Sequence, residues 1–261
     1  MNVYIMTDME GVSGVSRRDQ VLCGSAAWRE ALPLAEADFN AAVAGAAAGG
    51  ARRIVLCDAH GGGNNIRVEN MDGRAEYERP IGVGNIMPAL AAAKFDVALM
   101  IGAHAMAGTQ GAFLDHTQSS FTWHNYLVNG QRWGEIAQFA AYLGHFDVPM
   151  VMVTGDEAAC REAREFLGDI ETVVTKSTLC RQYARALPLA VVRKAIEEAA
   201  ARALRLAGKI RPLKVKLPAE VRVEFHSAET ADGFARRPSV RRLDGRTVGW
   251  TANSARELVG I

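Results

Sequence analysis

The sequence has no CxxC pair, no cluster of lysine and arginine, no low-complexity tract and no apolar run near the ~20 residues of a membrane span. Each absence removes a class of protein. Thirty basic side chains face 29 acidic ones, a net charge of +1, so nothing favours nucleic acid or an anionic membrane as partner and a small substrate is expected. Cys23, Cys57, Cys160 and Cys180 are too scattered for a thiolate zinc site or a disulfide framework. They read as buried free thiols in a reducing compartment. The chain opens on the apolar stretch Val3-Tyr4-Ile5-Met6 with no basic segment before it, which reads as a soluble, cytoplasmic protein without a signal peptide. What the chain does have is core. Hydrophobic residues make up 49% of its 261 positions, enough for one large α/β domain or a domain with an appendage.

Short apolar strands alternate with longer helical patterns. Strands are predicted at 3–7, 53–57, 96–101, 149–154 and 170–175, with an extended stretch around 119–128. Helices are predicted at 27–50, near 85–94, at 134–144, after Asp156 as N-cap, and at 188–207. The last carries Arg193/Glu197, Lys194/Glu198 and Glu198/Arg202 four apart, which reads as a solvated face. From about 210 the pattern changes to short strands at 213–217, 221–225, 239–243 and 247–251, then a terminal helix near 252–259. The expected fold is α/β: a mostly parallel sheet covered by helices on both faces, with a smaller C-terminal α/β portion. The division falls at 1–207 and 208–261, the second piece being a subdomain or an extension of the main sheet.

The chemistry lies where the first three predicted strands end: Thr7-Asp8-Met9-Glu10-Gly11, Asp58-Ala59-His60-Gly61 and Gly102-Ala103-His104-Ala105. Ligands of parallel sheets sit outside the carboxyl ends of the strands. Alternate residues of an extended stretch face the same way, so Asp8 and Glu10 can address one point, and Asp58 is placed to orient His60. A lone Asp there is commonly a turn or cap, and a lone His commonly hydrogen-bonded structure. Their coincidence at three strand ends is what carries the case. Mixed imidazole and carboxylate donors suit Zn²⁺, Mn²⁺ or Fe²⁺ and suit Ca²⁺ or Mg²⁺ poorly. The crowded negative charge argues for two ions bridged by a carboxylate. Downstream, His116 is available as a general acid or base. Glu135 is either a first-turn acid on a helix dipole or a further ligand.

Other motifs lead nowhere. Gly11-Val12-Ser13-Gly14-Val15 has Val15 where a nucleophile elbow needs glycine, which argues against a serine hydrolase. Gly61-Gly62-Gly63 is followed by neither G-x-G-x-x-G nor a Walker lysine. His124, His145 and His226 have no carboxylate pattern around them and read as structural or surface residues, and Trp123 and Trp133 as packing.

The ordered segments Thr7 to Gly14, Asp58 to Gly61, Gly102 to Thr109, Asp115-His116-Thr117, Asn129-Gly130 with Gly134-Glu135, and Val153 to Asp156 resemble the DppA-type D-aminopeptidases over most of residues 1–180. The resemblance implies a dinuclear zinc enzyme, with manganese the alternative, that releases N-terminal residues, often D-amino acids, from short peptides or amides. It implies Asp8 as the ligand shared by both ions, Glu10 and His60 completing one site, His104 and Glu135 the other, and His116 as the catalytic histidine. It also implies a ring-like homo-oligomer, a decamer in the best-known form. The alternatives are a related hydrolase of lactams, hydrazides or L-peptides, and a non-catalytic metal- or nucleotide-binding module. The sequence departs from the family at Phe139, where an asparagine is expected, so the substrate pocket should be smaller or drier there.

Overall fold

A computed structural model describes residues 1–81 and 87–258. In chain order the elements begin with β1 (Asn2–Thr7), α1 (Ala26–Ala48), β2 (Arg53–Asp58), β3 (Ala75–Glu78), α2 (Pro88–Ala92) and β4 (Val97–Ala103). There follow β5 (Trp123–Val128), β6 (Gln131–Arg132), α3 (Glu135–His145), β7 (Met150–Asp156), α4 (Glu157–Leu167), β8 (Glu171–Cys180) and β9 (Tyr183–Ala186). The chain continues through α5 (Leu189–Ala203), β10 (Ala219–Phe225), α6 (Ala228–Ala235), β11 (Arg241–Arg242) and β12 (Thr247–Ala252).

Seven strands form the main sheet in the order β3-β2-β1-β4-β7-β8-β9, parallel throughout except for the β8–β9 hairpin. The apolar runs need to be continuous because both faces are covered. Val3, Ile5, Ile54, Leu56, Val97 and Leu99 face α1 and α5, whereas Tyr4, Met6, Val55, Ala98 and Met100 face α2, α3 and α4. Helix α1 buries Ala27, Ala31, Ala35, Phe39, Ala42, Val43 and Ala46, the three-and-four spacing of a single stripe. Ser25 caps it by accepting from the Trp28 N–H.

A second, antiparallel sheet has the order β11-β12-β10-β5-β6. Its centre pairs Val221 with Val128 on one side and with Trp250 on the other, so the C-terminal strands close onto a hairpin from the middle of the chain. Helix α3 lies between the sheets. Ile136, Phe139, Ala140 and Leu143 meet the main sheet, and Ala137 and Ala141 meet the second. The mixed α/β fold with a largely parallel main sheet is as the alternation implied, and the smaller sheet joins the C-terminal strands to β5 and β6.

Several local readings change. The strand expected at 213–217 does not form. Lys214 instead donates to the Gly144 carbonyl (2.5 Å) at the end of α3 and pairs with Asp147. On α5 only Lys194–Glu198 forms within the helix (3.8 Å), because Arg193 turns to the buried Asp38 and Arg202 reaches Glu171 on β8. Cys57 and Cys160 are buried, but Cys23 and Cys180 are exposed, and all four are free. The helix expected near 85–94 is seen as α2, and residues 85–86 lie outside the described residues. The one expected near 252–259 is a 3-10 turn at Ala255–Leu258, with 259 outside the described residues.

The loop after β1 is clamped across the end of β4. The Asp8 N–H donates to the Ile101 carbonyl (2.9 Å) and the Gly11 N–H to the Gly102 carbonyl (2.7 Å). Gly102 has φ +87°, and a Cβ there would lie 2.1 Å from the Asp8 carbonyl oxygen. Both the left-handed conformation and the contact exclude a side chain. Gly102→Ala is therefore expected to cost at least ~2 kcal/mol of stability from strain and overlap together. Urea unfolding is the check, and a loss under about 0.5 kcal/mol, ordinary for a surface change, would contradict the clamp.

Candidate metal centre

In the main sheet the strand order reverses direction beside β1, whose neighbours are β2 and β4. Loops leaving those strands at their carboxyl ends part to opposite sides and leave a crevice. Asp8 and Glu10 follow β1, His60 follows β2 and His104 follows β4. Glu135 opens α3, and His116 comes from the loop between β4 and β5. All six are brought together there.

The His60 Nδ1 lies 2.8 Å from Asp8 Oδ1 and 3.2 Å from Glu10 Oε2. The His104 Nε2 lies 3.5 Å from Asp8 Oδ2 and 3.4 Å from Glu135 Oε1. The His116 ring stacks on His104 at 3.8 Å between centroids, with its Nε2 3.8 Å from Glu135 Oε1. Glu135 is thus both a first-turn acid of α3 and a member of the cluster, the two roles its position allowed.

Each imidazole is also held from behind by a main-chain carbonyl. His60 Nε2 bonds the Val21 carbonyl (3.0 Å), His104 Nδ1 the Ala105 carbonyl (3.0 Å) and His116 Nδ1 the Leu114 carbonyl (2.8 Å). A carbonyl can only accept, so these nitrogens carry the ring N–H and fix the tautomer. The opposite nitrogen of each ring then presents its lone pair to the carboxylates. Such an arrangement is repulsive unless a proton or a cation lies between the donors.

Electrostatics say the same. Burial and the neighbouring Glu10 push the Asp8 carboxyl up to about 7. Burial also raises Glu10, but His60, His116 and His104 outweigh it and hold that carboxyl well below its ordinary value. Burial opposes charge on His60 and His104, yet the facing carboxylates raise both well above the usual histidine range. His116 is lowered, by burial and then by the stacked His104. Glu135 drops to about 2 because His104 and His116 overcome its burial.

A divalent cation fits this donor set. Asp8 Oδ2 and Glu10 Oε2 are buried without a hydrogen-bond partner, an expensive state for a carboxylate oxygen. One donor atom from each of Asp8, Glu10 and His104 lies within 4.8 Å of the others, and His104, His116 and Glu135 form a second such group. Imidazole with carboxylate is the chemistry of zinc sites.

Asp58 does not orient the His60 ring. Its carboxylate accepts from the Asn65 N–H (2.6 Å) and the Asn65 side-chain amide (2.9 Å), and that amide also donates to the His60 carbonyl. The expected partner therefore shapes the glycine-rich loop, and the Val21 carbonyl does the orienting. Sequence reasoning also passed over the braces of the β1 loop. Buried Lys176 donates to the Glu10 carbonyl, Thr175 Oγ1 donates to the Gly11 carbonyl (2.6 Å), and Asp38 accepts from both the N–H and hydroxyl of Ser13. A lysine directly after the β-branched run Thr172–Thr175 was the available signal. Glu162 on α4 went unseen as well. It accepts from the Met106 N–H (2.7 Å), and burial pushes it up to about 7.

The cluster floors a cleft of about 370 Å³ whose walls include Val21, Leu22, Leu114, Phe121 and Phe139. Phe139 stands one helical turn beyond Glu135 and is one of the residues lining the cleft. Among the described residues, no helix is long and apolar enough to cross a membrane.

Against known proteins, a family model described as D-aminopeptidase matches residues 1–261. A D-aminopeptidase of Bacillus subtilis (strain 168) is 28% identical over 251 residues, covering 95% of this chain and 89% of that protein. A solved structure, the Zn-dependent D-aminopeptidase DppA from Bacillus subtilis, described as a self-compartmentalizing protease, superposes with a TM-score of 0.93. It is 26% identical and covers 99% of this chain and 94% of its own.

Because a cation must displace protons from the cluster, zinc affinity should rise with pH. Asp8 is protonated below about 7, so acid competes with the ion and each displaced proton weakens binding roughly tenfold per pH unit. Calorimetric titration of the metal-free protein between pH 6 and 8, in buffers of different ionisation enthalpy, should show at least one proton released per ion. Affinity that is flat over this range would contradict the coupling.

Proposed function

The chain belongs to the D-aminopeptidase family, and on that premise we propose that it is a zinc-dependent aminopeptidase removing N-terminal residues, D-amino acids among them, from short peptides or amino acid amides. The observation that carries the proposal is the set of ring nitrogens locked by carbonyls, with lone pairs turned to carboxylates of which two oxygens have no partner.

Asp8, Glu10, His60, His104 and Glu135 would hold two zinc ions, Asp8 being the shared ligand. Manganese is the alternative for the same donors. Bound zinc supplies Lewis acidity toward the scissile carbonyl and a water that ionises near neutral pH.

The protein's own groups supply the rest. His116 keeps its proton on Nδ1, against the Leu114 carbonyl, so Nε2 is free to accept a proton and pass it to the departing amine. Burial and the stacked His104 keep that ring neutral and therefore ready. A free substrate amine would meet the cluster at the cleft floor, which accounts for a preference for unblocked N-termini. Val21, Leu22, Leu114, Phe121 and Phe139 lower the local dielectric along part of the wall, beside the polar Gln118, Ser119 and Ser120.

Assembly into a ring-like homo-oligomer, a decamer in its finer form, is part of the same proposal. It is supported by the self-compartmentalizing relative and by the exposed apolar side chains Leu179, Tyr183 and Val191 around the β8–β9 hairpin. A cytoplasmic setting suits the four free thiols.

Two variants separate ligand from catalyst. His116→Ala should lose at least ~10²-fold in kcat on a D-aminoacyl amide, as loss of a general acid–base group does, while its zinc content by mass spectrometry stays at the wild-type level. Asp8→Ala should lose zinc as well as turnover. Zinc missing from His116→Ala would make that residue a ligand, and zinc retained in Asp8→Ala would remove the shared-ligand assignment.

A further inference from the structure

One charged group in the cleft is left unused by this chemistry. Arg18 and Arg181 both line the walls around the cluster. Arg181 is committed: its Nε pairs with Asp115 (2.8 Å) and it donates to the Asp115 carbonyl (2.7 Å). Arg18 has no acidic partner among the described residues. Its guanidinium lies over the Phe121 ring, 4.7 Å from the centroid, and that ring is 66% exposed at the opening.

We propose that Arg18 is a carboxylate-binding subsite for the far end of the substrate, so that short peptides with a free C-terminal carboxylate are preferred over their C-terminal amides. The proposal rests on the aminopeptidase reading and refines its substrate class. A guanidinium stays charged at any physiological pH and presents a planar fork that matches a carboxylate. Lying over the Phe121 ring, it is shielded from water on one side, which favours any ion pair it makes.

The backbone beneath it is fixed. Gln20 Oε1 accepts from the Ser16 N–H (2.8 Å) and the Arg17 N–H (3.2 Å), bracing the 3-10 turn Arg18–Val21. That turn ends at Val21, whose carbonyl holds His60. One short segment therefore orients a member of the metal cluster and carries the guanidinium. The cleft carries the metal-ligand cluster at its floor and the Arg18 guanidinium in its wall, so a short peptide entering amine first would bring its carboxylate toward the guanidinium. A cavity of about 370 Å³ is small enough for both ends of such a peptide to be recognised together.

The test uses a D-alanyl dipeptide whose scissile amide is replaced by CH2–NH, as the free acid and as the C-terminal amide. Each is titrated calorimetrically into the zinc-loaded wild type and Arg18→Gln. The wild type should bind the acid roughly tenfold or more tighter than the amide, a charge-assisted hydrogen bond's worth. Arg18→Gln should bind the two alike, with amide affinity within about twofold of wild type. Equal binding by the wild type, or a preference that survives in Arg18→Gln, overturns the proposal. Hydrolysis of the unmodified dipeptide is followed separately. A preserved binding preference without turnover would sink the aminopeptidase reading and leave the subsite standing.

Discussion

Three imidazoles each give one ring N–H to a main-chain carbonyl, and the active end of the molecule depends on that commitment. A free imidazole could rotate, or offer its proton to the carboxylates and form a simple ion pair. Here the proton is already placed, at Val21, Ala105 and Leu114, so the other nitrogen of each ring faces the cluster as a donor of electrons. Five side chains that would repel one another in the absence of positive charge are buried in one place. Protons relieve the repulsion in part, which is why Asp8, His60 and His104 all hold theirs more tightly than usual. A divalent cation relieves it more completely, and binding and deprotonation become one event.

Holding such a cluster together requires a rigid frame, and the fold supplies it at the one point where the sheet changes direction. The β1 loop is bonded to β4 by two main-chain hydrogen bonds and to β8 by Thr175 and Lys176. Lys176 is buried over the Phe113 ring, 4.9 Å from its centroid, and burial draws its pKa down to about 7. A buried lysine costs stability unless its ammonium is met, and here the Glu10 carbonyl meets it. Asp38 on α1 ties down Ser13 just beyond. The residues that touch the cluster are few, but the backbone that aims them is anchored from three elements.

Much of this was legible in the sequence because it is local. Period-two spacing put Asp8 and Glu10 on one side of an extended stretch, and the apolar runs before them, before His60 and before His104 marked three strand ends. Asp156 was readable as a cap, and it does accept from the Ala159 N–H. What was not legible depends on distant pairing. Nothing near Arg193 says that it will prefer Asp38, 155 positions away, to Glu197. Nothing in 221–225 names residues 123–128 as its partner strand. Asp58 was assigned to His60 because it is two residues off, but a carbonyl 39 positions away holds the ring. Sequence proximity was the wrong measure there, because a main-chain acceptor carries no residue signature.

Phe139 shows how one side chain changes the site without touching its charge. It stands four residues beyond Glu135, so both project from the same face of α3 into the cleft. It is also packed in the core between α3 and the main sheet. An asparagine at this position would offer a donor and an acceptor to a substrate backbone, but a phenyl ring offers neither. Orientation of the substrate then falls largely to its ends: the amine at the metal cluster and, at the other end, the Arg18 guanidinium, which has no acidic partner among the described residues. The lining beside Phe139 also carries Gln118, Ser119 and Ser120, and the apolar part of such a wall discriminates weakly among side chains that differ by a methylene. The cleft discriminates strongly against a substrate whose end cannot satisfy a charged group waiting in the wall. Selectivity in this member of the family therefore follows largely from what stands at the two ends of the cleft, with Phe139 narrowing the wall between them.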